Sequence, residues 1–390
     1  MTQNKRVLIA NRGEIAIRIA RAARGLGMES VSVFAAVDQL ALHTRVTTDA
    51  KLIGQPEDTV AAYLDIEELV QAAKESGCDC VHPGYGFLSE NAEFALRCAE
   101  EGLTFIGPSA KVLSLFGDKV QARELALSLD IPIVAGSEKQ LLSAKDAIVV
   151  ARKIGYPIML KAAAGGGGRG MRAVEGEDDM TDAFERCSSE AAAAFGNGAM
   201  FIEKLIVSPR HIEVQIIADA EGNVVHLHER DCSVQLRNQK VIEIAPAFGL
   251  DEEIKNKILT DAVKLVKAVS YLNAGTVEFL VCPETNEYYF IECNPRIQVE
   301  HTVTEQVTGI DLVETQFQLA NGDSLESLGL GTQLAVGSPR GFALQARVVA
   351  QSTGTITAYK EPSGFGVRVD ACGYAGYTPP PQFDPLLAKL

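Results

Sequence analysis

The chain has 390 residues, 47% of them hydrophobic and 22% charged, with a formal net charge of −15. At about 150 residues per domain, this composition predicts two or three globular domains with ample core. The acidic balance argues against nucleic-acid binding, though local lysines can still hold a nucleotide, and no apolar run approaches the ~20 residues that span a bilayer.

The N-terminus, MTQNKRVLIANRGE, runs a short apolar stretch straight into charges. It does not read as a signal peptide, and a cytoplasmic location is expected. None of the eight cysteines forms a C-x-x-C pair, and Cys78, Cys80 and Cys293 sit in apolar, strand-like stretches. They read as reduced, buried thiols of a cytosolic protein. The six histidines show no metal-ligand spacing, so no zinc site is expected.

The first ~110 residues alternate strand and helix. Arg6–Ala10, 29–34, 79–81 and 103–107 read as strands, with helices predicted at 13–26, 63–76 and 91–101. That order implies a parallel βαβ sheet covered on both faces. The first strand-to-helix turn, ANRGE, has a single glycine, so a dinucleotide fingerprint is missing there. Helices follow at about 118–129 and 143–154, then a strand at 156–162, a glycine loop at 165–170, a strand at 171–174 and a helix at 180–195. Strands are expected at 200–205, 212–219, 223–228, 276–282 and 287–293, with a helix at 251–270 and β-rich sequence from Gly341.

LKAAAGGGGRGMRAV (160–174) formally satisfies G-x-G-x-x-G. A dinucleotide fold requires a helix next, and MRAV reads as strand. A Walker loop requires G-K-[ST], which does not follow. A strand–loop–strand tip that closes over phosphates with backbone N–H groups remains, with Lys161 as a point charge. Protein kinases use that form, but HERD (228–231) lacks the asparagine of their catalytic loop. A linker without chemistry is disfavoured, because apolar strands flank the loop and Lys161 and Arg169 bracket it.

In FIECNPRIQVEH (290–301) the even positions from 292 to 300, Glu292, Asn294, Arg296, Gln298 and Glu300, are all polar. Period two places them on one face. A hairpin centred near Thr285 sets Glu278 opposite Glu292, and like charges facing each other destabilise a ladder. At about 4 Å the repulsion is roughly 1 kcal/mol in water and roughly 4 kcal/mol at an effective dielectric of 20. Glu278 also lies in an apolar VEFLV setting, where an idle carboxylate is costly. A Mg²⁺ or Mn²⁺ ion held by Glu278 and Glu292, with the amide oxygen of Asn294, resolves both problems. A fully extended chain would separate Glu292 from Glu300 by roughly 26 Å. Glu300 is therefore expected to serve as a general base instead, with Arg296 and Gln298 holding a small anion.

Together these motifs resemble a biotin carboxylase of the ATP-grasp superfamily, from Lys5 to Leu390. The stretches that carry the resemblance are IANRGEIAIRIARAARGLG (9–27), HPGYGFLSEN (82–91), FIGPS (105–109), GDK (117–119), KAAAGGGGRGMR (161–172), FIEKLI (201–206), PRHIEVQ (209–215), ERDCSVQLRNQKVIEIAPA (229–247) and FIECNPRIQVEHTVTE (290–305). It implies an α/β fold, α+β in part: an N-terminal parallel βαβ domain (1–115), an ATP-grasp domain (116–335) with a mobile glycine-loop lid at about 132–205, and a truncated β-rich C-terminal domain (336–390).

By resemblance, Lys119 and Lys161 hold ATP phosphates under Gly165, Gly166, Gly167 and Gly168. Glu203, Lys204, Leu205, Ile206, His211, Gln235 and Asn238 line the nucleotide. Glu278 and Glu292 hold the metal, beside Asn294. Lys240, Arg296, Gln298 and Val299 form the bicarbonate pocket, Glu300 deprotonates bicarbonate, and Arg347 stabilises the biotin enolate. The implied reaction runs through carboxyphosphate and carboxylates biotin on a separate carrier, since no A-M-K-M motif is present. A carboxyltransferase component and a homodimer or larger carboxylase are implied as well, with an acetyl-CoA, longer acyl-CoA, pyruvate or urea acceptor left open.

Three departures stand out. Asn238 occupies a position where the family often has histidine, RVVAQSTGTI after Arg347 is a shortened connection, and the chain stops at FDPLLAKL like a fragment. A carbamoyl phosphate synthetase half should lack Lys240 and Glu300, and a non-catalytic ATP-binding fragment should have lost Lys161, Glu278, Glu292 or Glu300. His82 reads equally as a turn cap or a catalytic-face residue. His301 reads as a neighbour of Glu300. Arg12 and Glu14 read as a surface pair or as ligand contacts at the sheet's C-terminal end. Cys232 lies near the site with nothing to mark it as reactive.

Overall fold

A computed structural model describes residues 5–137, 139–163 and 170–390. The N-terminal strands form the expected parallel sheet, in the order Asp49–Leu52, Glu29–Phe34, Arg6–Ile9, Cys80–His82, Thr104–Phe105. Alternation within Arg6–Ile9 divides its side chains between two cores. Val7 and Ile9 pack with Ile15 and Ile19 of the helix Gly13–Gly25. Leu8 packs with Leu69, Val70 and Phe94 of the helices Ile66–Glu75 and Ala92–Glu100. Asp65 and Asn91 cap those two helices by accepting from the amides of Glu68 and Phe94. The edge strand Asp49–Leu52 went unpredicted because its four residues are exposed or half-buried and carry no apolar run.

Arg12 and Glu14 are neither a surface pair nor joined to each other. The Arg12 guanidinium grips Asp38 with two bonds of 2.5 Å and lies 4.0 Å over the ring of Phe383. Glu14 is buried and accepts from Tyr85 and Lys389.

The segment after the first sheet is helical at Ala110–Gly117 and Lys119–Ser128, with Ser109 and Asp118 as caps. A three-stranded sheet then pairs Ile158–Ala162 with Met171–Val174 on one side and Met200–Lys204 on the other. The helices Ala144–Ile154 and Met180–Phe195 cover it. The strand–loop–strand reading therefore holds on both described flanks of the glycine loop.

An eight-stranded sheet is the molecule's backbone. Its order is Tyr288–Asn294, Asn273–Val281, Arg210–Ala218, Val224–Leu236, Gln239–Ala245, Ala343–Val349, Leu386–Lys389, Asp370–Ala371. The helix Glu252–Lys267 seals one face, setting Ile254, Ile258, Leu265 and Val266 against Ile212, Val214, Val277 and Phe279. The helices His301–Thr308 and Leu312–Ala320 escaped prediction because their polar residues are buried. Arg18, from the first helix, reaches Glu305 (2.8 Å) and Asp311 (2.6 Å) between them. Among the described residues, no helix is long and apolar enough to cross a membrane.

Candidate active site

The strand Asn273–Val281 is almost wholly buried and pairs antiparallel with Tyr288–Asn294. Glu278 stands directly opposite Glu292, as the spacing predicts. Near the turn the register runs Val281 to Tyr288 and Phe279 to Phe290, which alone would set Glu278 against Ile291. A bulge between Glu278 and Phe279 shifts the pairing by one residue. Without it, Glu292 would point to the other face of the sheet. The Asn294 amide nitrogen donates to Glu278 at 2.6 Å and to Glu292 at 3.3 Å. Its oxygen accepts from Arg296 at 3.2 Å, so it faces away from the acids it was expected to join.

Lys240 is the hub. Its amine meets Glu213, Glu278 at 3.1 Å and Glu300 at 2.8 Å. The strand ends at Asn294 and the chain turns back, so Glu300 returns to within one lysine of Glu278 rather than lying far off in an extended chain. Arg347 links Glu300 (3.1 Å) to Glu243 (2.6 Å). Gln298 donates to Glu278 at 2.7 Å and accepts from the fully buried Arg230 at 2.7 Å. His211 bonds Glu278 at 2.5 Å, and Gln235 reaches the other ring nitrogen at 3.1 Å. Arg296 is anchored on Glu90. The carbonyl of Val299 accepts from Lys389 at 2.8 Å.

Burial alone would raise every carboxyl here, and the neighbouring charges then separate them. Lys240, Arg347 and Arg230 outweigh burial at Glu300 and hold it well below the usual carboxylate range. Lys240 and His211 do the same for Glu278. At Glu292, burial and the facing Glu278 prevail over Lys119, and the group is raised. Glu213 is pushed up to about 7 by burial, with Lys240 opposing and Glu278 and Glu300 adding to the shift. Burial works against a charged His211, but Glu278 and Glu213 hold it above its ordinary value.

A second group lies toward the three-stranded sheet. Lys161 meets Glu203, which also takes Arg123 at 2.8 Å. An open cavity of about 530 Å³ is lined by Asp118, Lys119, Gln121, Gln140, Ala163 and Phe201. The amides of Lys204 and Leu205, next to Ile206, donate to the carbonyls of Ala135 and Pro157, while the Lys204 amine reaches those of Gly155 and Tyr156. Asn238 is exposed at the tip of the hairpin joining Val224–Leu236 to Gln239–Ala245, with φ of 62°. Gly165, Gly166, Gly167 and Gly168 lie outside the described residues.

The structure thus joins Lys240, Glu278, Glu292, Glu300, Asn294, Gln298, His211, Gln235 and Arg347 in one network, with Arg296 attached through Asn294. Lys161 and Glu203 form a separate cluster, and the Lys204 side chain and Asn238 join neither. Glu213, Arg230, Glu243, Glu90 and Arg123 were missed. Glu213 carried a usable signal, since His211, Glu213 and Gln215 alternate along a buried strand as the hairpin residues do. His82 proves to be a buried turn cap, with one nitrogen on the Gly84 amide and the other on Gln316. His301 is buried on the carbonyl of Gln298. Cys232 lies beside Glu213 and Glu300, with burial raising its thiol well above the ordinary value.

The donor set fits a hard divalent cation: two facing carboxylates offer oxygen atoms, and at Glu292 the negative charge is left under-compensated. Family models match in three successive segments. Biotin carboxylase, N-terminal domain, matches residues 3–113, carbamoyl-phosphate synthase L chain, ATP binding domain, matches 118–328, and biotin carboxylase C-terminal domain matches 345–390. Pyruvate carboxylase of Aspergillus niger is 49% identical over 99% of this chain and 33% of its own length. That of Staphylococcus aureus is 47% identical over 100% and 35%. The chain therefore spans about a third of these relatives. The biotin carboxylase domain of Hydrogenobacter thermophilus 2-oxoglutarate carboxylase, solved as a dimer with MgADP, ADP and bicarbonate, superposes with a TM-score of 0.94 at 42% identity, covering 100% of this chain and 86% of that one. Campylobacter jejuni biotin carboxylase in its β,γ-ATP complex gives 0.93 at 42% identity, covering 99% and 86%. With an acid hairpin, a lysine hub and matches from end to end, the chain belongs to the biotin carboxylase family of ATP-grasp ligases.

Proposed function

We propose that the chain carboxylates biotin, presented on a carrier, at the expense of ATP and bicarbonate. The observation that carries this reading is Lys240 bonded at once to Glu278, on the metal side, and to Glu300, on the proton-accepting side. Glu300 is held ionised by Lys240 and Arg347, the form a base requires. It takes the proton of bicarbonate, which Lys240, Arg296, Gln298 and Val299 hold. The freed oxygen attacks the γ-phosphorus of ATP, the bond to the ADP oxygen breaks, and carboxyphosphate forms. Lys119 and Lys161 face the phosphates, and Lys161 must leave Glu203 to do so. Glu278 and Glu292, with Asn294 beside them, would hold Mg²⁺ or Mn²⁺, which neutralises phosphate oxygens. Carboxyphosphate separates into CO₂ and phosphate, the phosphate removes the biotin N1 proton, and Arg347 steadies the enolate that captures CO₂. The chain's share is positioning and charge neutralisation.

Glu203, Lys204, Leu205, Ile206, His211, Gln235 and Asn238 are assigned to the nucleotide side, and Gly165–Gly168 to the lid. The division into 1–115, 116–335 and 336–390 belongs to the same reading. Relatives named for pyruvate and 2-oxoglutarate support a 2-oxo acid as the final acceptor rather than an acyl-CoA. A carrier and a carboxyltransferase are the implied partners, and the Hydrogenobacter dimer supports a homodimer. The test is ADP release with and without bicarbonate and free biotin, beside Glu300→Gln. Bicarbonate-dependent release that Glu300→Gln abolishes is expected; ATP cleavage indifferent to bicarbonate and to that substitution would overturn the reading.

A further inference from the structure

We infer that Lys389 is a positioning residue for the bicarbonate segment 295–300, acting through the carbonyl of Val299; this rests on the function proposed above. Lys389 lies on the last strand and is 2% exposed. In the ladder it stands opposite Arg347 on one side and Asp370 on the other. Like charges facing each other across a ladder repel, and here each cation reaches a different acid. Arg347 extends to Glu243 and Glu300, while Lys389 extends to Glu14 at 3.1 Å. Glu14 also accepts from the hydroxyl of Tyr85.

Charge pairing with Glu14 does not by itself require a contact to Val299, yet the Lys389 amine donates to that carbonyl at 2.8 Å, across 90 residues of sequence. Val299 lies outside the regular strands and helices. A carbonyl and the amide that follows share one plane. Holding the Val299 oxygen therefore fixes the peptide from which Glu300 departs. Adjacent strands thus grip successive residues of the loop: Arg347 holds the Glu300 side chain and Lys389 holds the backbone before it. Glu14 sets Lys389 in turn, so the first helix and the last strand jointly aim the base.

The test compares KM for bicarbonate with KM for ATP in bicarbonate-dependent ADP release. Lys389→Met alone strands Glu14 as a buried charge, so the informative variant is Lys389→Met with Glu14→Gln, which removes both charges together. A cooperative melt of this double variant is expected, with KM for bicarbonate raised about tenfold and KM for ATP changed less than about twofold. Should that variant not fold, Lys389→Arg keeps the charge with a different reach, and a smaller rise confined to bicarbonate is expected. An unchanged bicarbonate KM in a folded variant, or both KM values rising in parallel, overturns this inference alone. Bicarbonate-independent cleavage in the unaltered protein overturns the proposed function and this inference with it.

Discussion

Glu292 shows what the site costs the unliganded fold. It faces Glu278 across the ladder, its carboxyl is raised by burial and by that neighbour, and Asn294 offers it one long bond of 3.3 Å. Removing its charge should relieve a repulsion of about 1 kcal/mol or more. We expect Glu292→Gln to melt higher than the unaltered protein without metal, and to lose the further rise that MgADP brings. Thermal melts with and without MgADP check both halves; a variant that melts lower and still responds to MgADP contradicts them. Such trade-offs between stability and function are common where acids are gathered to hold a metal. The pairing of the two acids was legible in the sequence because a single hairpin joins their strands, although it takes the bulge beside Glu278 to set them directly opposite. Glu213 and Arg230 were not, because Arg230 finds Glu213, Gln215, Thr276, Gln298 and Thr304 only once distant segments have come together.

At the scale of elements, the strand Asn273–Val281 positions Glu278 through very tight packing. A Cβ on Gly275 would collide with the Tyr271 hydroxyl, which is itself buried and donates to the carbonyl of Ala274. That ring has no open side to retreat to. Gly275→Ala should therefore destabilise the fold by about 1–3 kcal/mol through overpacking. A lower urea midpoint with an unchanged slope checks this; an unshifted midpoint counts against it. Legibility at this scale followed amphipathic pattern. The parallel N-terminal strands and the helices at 13–25, 144–154 and 252–267 carry clean apolar faces. The helix His301–Thr308 carries none, because Glu305 is stabilised inside by Arg18 and Arg368 rather than by water. The bulge beside Glu278 leaves no mark in composition, although the predicted facing of the acids depends on it.

Across the whole molecule, buried histidines set the response to acid. His43 and His82 are fully buried and lowered by that burial to about 4 and about 3, and His301 is likewise lowered well below its ordinary value. The folded chain keeps these three neutral at a pH where the unfolded chain protonates them. Unfolding therefore takes up protons below about pH 6.5, and stability falls as pH drops, by about 1.4 kcal/mol per unit for each group. Glu213 opposes them. Its raised carboxyl, near 7, gains stability as pH falls toward its unfolded value, and Glu292, Glu243 and His211, also raised, act in the same direction, while His226, lowered to about 4 by burial, adds to the buried histidines. The urea midpoint should drop steadily between pH 7 and pH 5; a flat profile would contradict the burial of these rings. The histidines were ambiguous in sequence because a buried imidazole and an active-site one occupy similar local patterns.

The hairpin that brings the two acids together turns at Cys282, and this thiol differs from the others. Seven of the eight cysteines are buried, whereas Cys282 is partly exposed, and hydrogen bonds from Thr285 favour its thiolate. A thiol-selective dye added to the native protein should accordingly attach at one place, the loop end of the acid-bearing strands. A fluorophore there would sit at the turn of that hairpin, with no engineered cysteine needed.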